Sequence, residues 1–348
     1  MANQDPILVC DQIDRLITTE LGRKFRPLAT KMYEAARKRT DGEPSLTYEA
    51  ARRLIDVCKP GASVLIVEGF LLDLWMQGET DGPPGAAVLA RAVDRGLGAT
   101  PVFVTELEQI GLMIETCRAA GLSHYELDAA KERTRRFATL PLSTEPEKAA
   151  SEATEILDRV KPAAIIAIEK PAANHLGVYH NTAGRDISAI CAKVEPLFAQ
   201  AHERGILTIG IGDGGNEVGM GLIEDVLREL LPRGRTCKCP CGGGTVAHLA
   251  TDVLIPAFVS NWGGYGVAAA LAVLLKEPDV FHDVALERRI LEACGHAGGI
   301  DGEHGYSGTV IDRAPLEIHL SLVSLLRYMV TAPPFAFVEK ASTGSGSE

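Results

Sequence analysis

A glycine-rich segment between residues 208 and 226 carries the residues with the clearest chemical potential in this chain. It reads TIGIGDGGNEVGMGLIEDV, in which an apolar run predicts a strand and the residues from Glu217 onward predict a helix. Glycine turns before a helix usually bind phosphate through free backbone N–H groups, aided by Lys or Arg. This turn offers Asp213 and Glu217 instead. Backbone donors beside carboxylates suit an amino acid, or a hard cation such as Mg²⁺ or Mn²⁺.

A structural alternative exists for the two acids of this turn. Asp213 and Glu217 could cap the following helix and load its first turn with negative charge, which needs no ligand. For Glu217 the structural and functional interpretations are evenly balanced, whereas the whole run, including Asn216, favours binding. The chain contains no G-x-x-x-x-G-K-[ST] motif, so we do not expect ATP as an energy source.

A second motif, GETDGPPGAAVLARA, begins at Gly78. Two prolines suit the first turn of a helix, and the acids stand immediately before them. Helix capping alone explains Thr80 or Asp81. It does not require an acid pair between two glycines, so Glu79 and Asp81 are predicted to form a second wall of a pocket.

A third motif, EKPAANHLGVYHNTAGRDIS, spans residues 169–188 and is dense in groups that donate or accept protons. Glu169 and His180 are candidates for proton transfer, because a histidine titrates near neutral pH and two histidines lie in this loop. Asn181 is a candidate for orienting a ligand. The fourth motif is SNWGGYG, in which Ser260 or Asn261 caps a helix and Trp262 walls an apolar side of the ligand.

Three alternating cysteines form the motif CKCPC, at Cys237, Cys239 and Cys241. Their spacing differs from the C-x-x-C of common tetrahedral zinc sites, and Pro240 stiffens the backbone. We therefore favour an irregular loop with incidental thiols, and a soft-metal or redox site is the alternative. The other five of the eight cysteines are scattered and are predicted to be small buried residues.

Short apolar runs, separated by segments of helical length, predict the elements that position these motifs. Runs of Val and Ile without polar alternation are typical of a parallel sheet covered on both faces. The clearest runs are SVLIVEGF, TPVFVTE, AAIIAIEK, ILTIGIGDGG and DVLIPAFVSNWGG. Each ends in polar residues, and the carboxyl ends of parallel strands share one edge, so a polar pocket is predicted at that edge.

The predicted fold is therefore α/β, a mostly parallel sheet with helices on both faces in Rossmann-like layers, preceded by a helical N-terminal segment. Residues 1–338 are predicted to form one large domain, and the proline-rich 140–150 region is a candidate hinge between two lobes. The Gly/Ser-rich end, 339–348, is predicted to be a disordered tail. Helices are predicted over residues 82–97, 147–161, 187–205, 217–231 and 264–277.

Composition excludes several classes of partner. The 348 residues carry a formal net charge of −11, which argues against binding to nucleic acid or an anionic membrane. No apolar run approaches the length of a membrane span. The first residues resemble neither a secretion signal nor a transit peptide, so we expect a cytoplasmic protein. A small molecule is the expected partner, and a homo-oligomer is an open alternative.

Together the four motifs resemble those of the D-glutamate cyclase family, over roughly residues 10 to 335. The matching stretches are ETDGPPGA, IEKP with YHN and GRDI, GDGGNEVGMG, and SNWGGYG. The resemblance implies a hydro-lyase that interconverts D-glutamate and its lactam, 5-oxo-D-proline, without ATP. This chain departs from the family at residues 171–175, where relatives carry an arginine suited to a substrate carboxylate, and in its CKCPC insertion.

The resemblance implies roles for the candidate residues. Asp213 or Glu217 would handle the amine, and Glu169 or His180 would act as the acid. Substrate would be bound by Glu79, Asp81, Asn181, Asn216, Ser260, Asn261 and Trp262. One alternative is a metal-dependent lactam or amide hydrolase, in which Asp213, Glu217 and a histidine hold a divalent ion. The other is a nonenzymatic protein that binds an amino acid.

Overall fold

A parallel sheet of seven strands forms the centre of the computed structural model, which describes residues 5–22, 28–40 and 45–332. The tail predicted at 339–348, and the domain end predicted at 338, lie outside the described residues. The strands are β1 (Ser63–Glu68), β2 (Leu71–Leu72), β3 (Gln77–Gly78), β4 (Thr100–Thr105), β5 (Ser123–His124), β6 (Arg136–Pro141), β7 (Ala164–Ile168), β8 (Leu207–Gly212) and β9 (Val253–Pro256). Only β2 and β3, which pair antiparallel, stand apart from the large sheet within the described residues.

Helices cover both faces of the sheet, as predicted. They are α1 (Pro6–Ile17), α2 (Leu28–Arg39), α3 (Leu46–Val57), α4 (Pro83–Leu97), α5 (Ile110–Ala119), α6 (Leu127–Lys131), α7 (Pro146–Val160), α8 (Glu195–Glu203), α9 (Glu224–Leu230), α10 (Ser260–Leu275), α11 (Val284–His296) and α12 (Leu316–Thr331). The predicted α/β class and the helical N-terminal segment are confirmed. Among the described residues, none of these helices combines the length and apolar character that crossing a membrane requires.

The order of strands places a topological switch point beside β1. The sheet runs β5-β6-β4-β1-β7-β8-β9, and every neighbouring pair is parallel. The chain starts in the middle, builds outward on one side through β4, and then returns to build the other side from β7. The connections beyond β1 and β7 therefore leave in opposite directions, which opens a crevice at the carboxyl ends of these strands.

Helices α4 and α10 cross at glycine residues, which explains why both of their motifs are rich in glycine. A Cβ at Gly85 would lie 2.8 Å from the Asn261 Cα, and one at Gly264 would lie 3.0 Å from the Gly85 carbonyl oxygen. A Cβ at Gly263 would lie 2.4 Å from the Ile211 Cγ2 on the sheet. Close backbone approach therefore fixes the beginnings of both helices over the crevice.

The N-terminal helices attach to this core through a buried carboxylate. Asp14 on α1 accepts hydrogen bonds from the Leu46 backbone N–H at 2.7 Å and from the Tyr33 hydroxyl at 3.0 Å. It also accepts from the backbone N–H of Thr47 at 3.2 Å. One side chain thus links α1, α2 and the start of α3. Helices α1 and α3 in turn pack on α10.

Two predicted helices begin later in the structure than expected, and one strand was not predicted. The helix predicted over 187–205 begins only at Glu195, and the helix predicted over 217–231 begins only at Glu224. In both cases loop residues with polar contacts replace the first turns. The sequence also did not predict β6, which ends inside the candidate hinge at 140–150 and pairs with β4. Strands from both sides of that region belong to one sheet.

Candidate active site

A cavity of about 690 Å³ opens at the carboxyl ends of β1, β7 and β8. Its volume lies in the range typical of small-molecule sites. The predicted site residues that line it are Glu79, Asp81, Glu169, Asn181, Asp213, Asn216 and Glu217. These residues come from three of the four motifs. They meet in the crevice at the topological switch point of the sheet.

Three carboxylates converge at the base of this cavity. Asp81 precedes α4, Glu169 follows β7 and Asp213 follows β8. One carboxylate oxygen from each of the three lies within 4.8 Å of the other two. Each side chain is buried. Three acids at this separation either share protons or attract a cation. The chemistry open to the group is thus proton transfer, ammonium binding or coordination of a hard metal ion.

Backbone donors at the start of α10 hold Asp81 in place. Its carboxylate accepts from the N–H groups of Ser260 at 2.9 Å and Asn261 at 2.8 Å, and from Gly82 at 3.0 Å. In the opposite direction, the side-chain oxygen of Asn261 accepts from the backbone N–H groups of Gly82 at 3.0 Å and Gly85 at 2.7 Å. Asp81 and Asn261 therefore cap each other's helices across the crevice.

Glu169 adopts a backbone conformation that is unusual for a residue other than glycine. Its φ is 45°, in the left-handed region, and the Ser260 hydroxyl donates to its carboxyl group. Non-glycine residues in this region carry strain and often mark functional sites. The strain and the hydroxyl together direct the Glu169 carboxyl toward Asp81 and Asp213.

Glu217 binds its own loop. Its carboxyl oxygens accept from the backbone N–H groups of Asp213 at 3.0 Å, Gly214 at 2.6 Å and Gly215 at 2.6 Å. The segment is a turn that ends before α9, and these three backbone N–H groups bind Glu217. The turn closes around Glu217, and this closure presents Asp213 to the cavity.

Burial and mutual repulsion raise the pKa values of the acids in the cavity. Burial first, and then the charge of Asp213, raise the pKa of Asp81 to about 8. The pKa of Glu169 is raised well above its ordinary value by burial and then by Glu217. Burial, followed by Asp81 and Asp213, acts on the pKa of Glu79 in the same direction. Some of these groups therefore hold protons at neutral pH and can donate them.

A buried ion pair supports the floor of the site. The Lys170 ammonium lies 2.6 Å from both carboxylate oxygens of Glu106 and donates to the Gly69 carbonyl at 3.1 Å. Glu106 also accepts from the Ala192 N–H at 2.7 Å. Beside this pair, burial raises the pKa of Glu68 to about 8, and its carboxyl oxygens have no hydrogen-bond partner in the described part of the chain. We predicted that these polar strand ends lie at one edge of the sheet, but we assigned no individual role to Glu68, Glu106 or Lys170.

Four predicted site residues lie outside the cavity lining: His180, Ser260, Asn261 and Trp262. The His180 Nε2 lies 3.2 Å from the Cys239 Sγ. The Trp262 indole N–H donates to the His319 Nδ1 at 3.0 Å, and its ring packs against Phe258. Ser260 and Asn261 likewise contact the protein, where they orient Glu169 and the start of α4.

The cavity lining also includes two arginines that were not among the predicted site residues. Arg185 binds both oxygens of Asp73, at 2.7 and 2.8 Å, and Asn181 donates to the same carboxylate at 3.2 Å. Arg233 lines the cavity and is half-buried. Arg233 follows α9 and belongs to none of the four motifs. Its place in the cavity lining is therefore evident only from the folded structure.

Comparisons with known proteins show which family the chain resembles. A family model described as D-glutamate cyclase-like, C-terminal, matches residues 14–327. The human protein D-glutamate cyclase, mitochondrial, is 31% identical over 221 residues, which cover 61% of this chain and 33% of the human protein. The aligned part thus spans about a third of that relative's length. Because the family match extends from α1 to α12, the chain belongs to the D-glutamate cyclase-like family.

Proposed function

We propose that this protein is an ATP-independent lyase that interconverts D-glutamate, or a close analogue, with its lactam through loss or gain of water. The observation that carries the proposal is the convergence of Asp81, Glu169 and Asp213 within 4.8 Å in a cavity with an arginine in its lining. The name of the human relative and the family match support this class of reaction.

The substrate ammonium would bind beside the carboxyl groups of Asp81, Glu169 and Asp213, because a compact cation offsets the repulsion among three buried acids. In the proposed cyclisation, Asp213 accepts a proton from the ammonium, and the freed amine attacks the side-chain carboxyl carbon. The new C–N bond closes a five-membered ring, for which proximity replaces an activating group. Glu169, protonated through its raised pKa, then gives a proton to the departing oxygen.

The proton balance needs no further reactant. The ammonium loses two protons on becoming a lactam N–H, and the carboxylate oxygen gains two protons on leaving as water. Glu169 supplies the first of these two protons to the oxygen, and Asp213 supplies the second from the proton that it took from the ammonium. Glu169 then regains a proton from the nitrogen, so that both acids return to their starting state. Ser260 holds Glu169 in position during this transfer through its hydroxyl.

Arg233 is our candidate partner for the substrate α-carboxylate. Replacement of Arg233 by Gln should raise KM about 10- to 100-fold with a smaller effect on kcat, because one charge-assisted contact contributes about 1.5–3 kcal/mol. Steady-state kinetics with the preferred substrate measure this change. Arg235→Gln is the matched control, since Arg235 is exposed and pairs with Glu229. An unchanged KM in the Arg233 variant would assign the carboxylate to another group.

A direct test is incubation of the purified protein, without ATP, with D- and L-glutamate and with both 5-oxoproline enantiomers. We expect interconversion of one enantiomeric pair by NMR. In H₂¹⁸O the lactam should yield glutamate labelled in its side-chain carboxylate. Binding of the amino acid without any product, measured by calorimetry, would contradict the proposal and favour the nonenzymatic binding protein.

A metal-dependent lactam hydrolase is the second candidate, because Asp81, Glu169 and Asp213 also form a group of hard oxygen ligands. A divalent ion held there would activate water for attack on the lactam carbonyl. The same incubation separates the two candidates. Activity that is lost on chelation and restored by Mg²⁺ or Mn²⁺ favours the hydrolase, whereas activity that persists in chelator favours the metal-free cyclase.

A further inference from the structure

Outside the proposed reaction centre, the three cysteines of the CKCPC loop and His180 form a compact group. The Cys237 Sγ lies 3.4 Å from the Cys239 Sγ and 3.3 Å from the Cys241 Sγ. The His180 Nε2 lies 3.2 Å from the Cys239 Sγ and 3.6 Å from the Cys241 Sγ. All three cysteines are free thiols, and all four ligand atoms lie within 4.8 Å of one another.

These separations fit the edges of a metal-centred tetrahedron. With Zn–S bonds near 2.3 Å and Zn–N bonds near 2.0–2.1 Å, ideal geometry places sulfurs about 3.8 Å apart and sulfur about 3.6 Å from nitrogen. Three of the four observed distances are a few tenths of an ångström shorter than these values, and the distance from His180 Nε2 to Cys241 Sγ matches, so a small outward movement admits the ion. Three thiolates and one imidazole are a recognised ligand set for structural zinc.

The surroundings of the group also point to a ligand. The His180 ring is buried, its Nδ1 has no hydrogen-bond partner among the described residues, and its Nε2 faces sulfur. The Gly243 N–H donates to the Cys241 Sγ at 3.4 Å, and the Asn174 amide approaches the same sulfur at 3.7 Å. Donors aimed at a sulfur stabilise its thiolate form, which is the form that binds metal.

The loop that carries the cysteines needs a cross-link of this kind. Residues 231–252, between α9 and β9, contain neither helix nor strand. Loops of this length without secondary structure are uncommon in compact domains unless they are functional or otherwise held. The Gly184 carbonyl accepts from the Lys238 N–H at 2.9 Å, which already brings the loop beside the His180 segment.

We propose that His180, Cys237, Cys239 and Cys241 bind one Zn²⁺ ion in a closed structural site. The ion would join the loop of residues 231–252 to the loop that follows β7. These two loops contribute Arg233 and Asn181 to the cavity lining, and the His180 carbonyl accepts from the Asn216 amide at 2.9 Å. The zinc would therefore fix the shape of one cavity wall without contacting the substrate.

The test measures metal and does not depend on the proposed reaction. Native mass spectrometry of the purified protein should show one zinc per chain. After removal of zinc, Co²⁺ should produce the visible absorption of tetrahedral cobalt with thiolate charge-transfer bands. Chelator strong enough to remove zinc should lower Tm by more than about 5 °C. Cys239→Ser should reduce zinc content to near zero, whereas Cys58→Ala, at a buried thiol outside the group, should retain it.

Three outcomes would overturn the proposal. They are a metal-free native mass with no cobalt spectrum, zinc retained by the Cys239 variant, and a mass two hydrogens lower that places a disulfide within the CKCPC loop. The last result would instead assign the loop to redox chemistry. Because the cobalt spectrum is recorded on the unmodified chain, poor folding of the Cys239 variant would not prevent a decision.

Discussion

Replacement of Asp213 by Asn is expected to reduce kcat by at least about 10³-fold, while the protein stays folded. General-base catalysis contributes about 10²–10⁴-fold, and an amide in this position cannot accept the proton of the substrate ammonium. The variant also loses part of the attraction for that ammonium. The measurement is the NMR rate of lactam formation at saturating substrate.

The stability of the Asp213 variant provides an independent check. The charge of Asp213 raises the pKa values of Glu79, Asp81 and Glu169, so its removal relieves repulsion among buried acids. We therefore expect an unchanged or higher Tm. Asp128→Asn, at an exposed position of α6, is the matched control and should keep full activity. Full activity in Asp213→Asn would remove Asp213 from the mechanism.

Replacement of Glu217 by Gln is expected to impair both stability and activity. The amide has one acceptor oxygen in place of two, and its NH₂ group would face a backbone N–H of the turn that now donates to a carboxyl oxygen. Loss of one charge-assisted bond and the unsatisfied donor should lower the free energy of unfolding by about 3 kcal/mol. Since the turn positions Asp213, kcat/KM should also fall by about 10²-fold or more.

Denaturant unfolding and steady-state kinetics of the same Glu217 preparation measure the two effects. Glu203→Gln, at an exposed position of α8, is the control and should change neither. Both site variants should lose activity, but only Glu217→Gln should also lose stability. A Glu217 variant with normal stability but no turnover would favour direct contact between Glu217 and the substrate.

The sequence predicted the fold well because its clearest signals, the short apolar runs, can be recognised locally and yet determine how distant segments assemble. Unbroken apolar runs identified β1, β4, β7, β8 and β9, and the rule that parallel strands end at one edge then located the crevice. β6 was missed because its residues read as a proline-rich connection. Its strand conformation depends on pairing with β4, which local pattern does not reveal.

The roles of individual site residues were harder to predict, because they depend on which partner each side chain meets. Glu217 resembles a residue in the first turn of a helix, yet in the folded chain it accepts three donors from its own turn. His180 resembles a catalytic histidine, yet it faces a loop 59 residues away at Cys239. Arg233 belongs to no motif at all. These positions and contacts depend on the tertiary structure, and the spacing of residues in the sequence does not reveal them.

The hydrogen bonds that hold Asp81 also determine when the cavity can form during synthesis. Its donors at Ser260 and Asn261 lie 179 and 180 positions further along the chain. A nascent chain that ends before Ser260 therefore lacks two of the three backbone donors that bind the Asp81 carboxylate. The pocket must assemble late, in one cooperative event after most of the polypeptide has left the ribosome. Truncation before α10 should consequently remove the pocket as a whole.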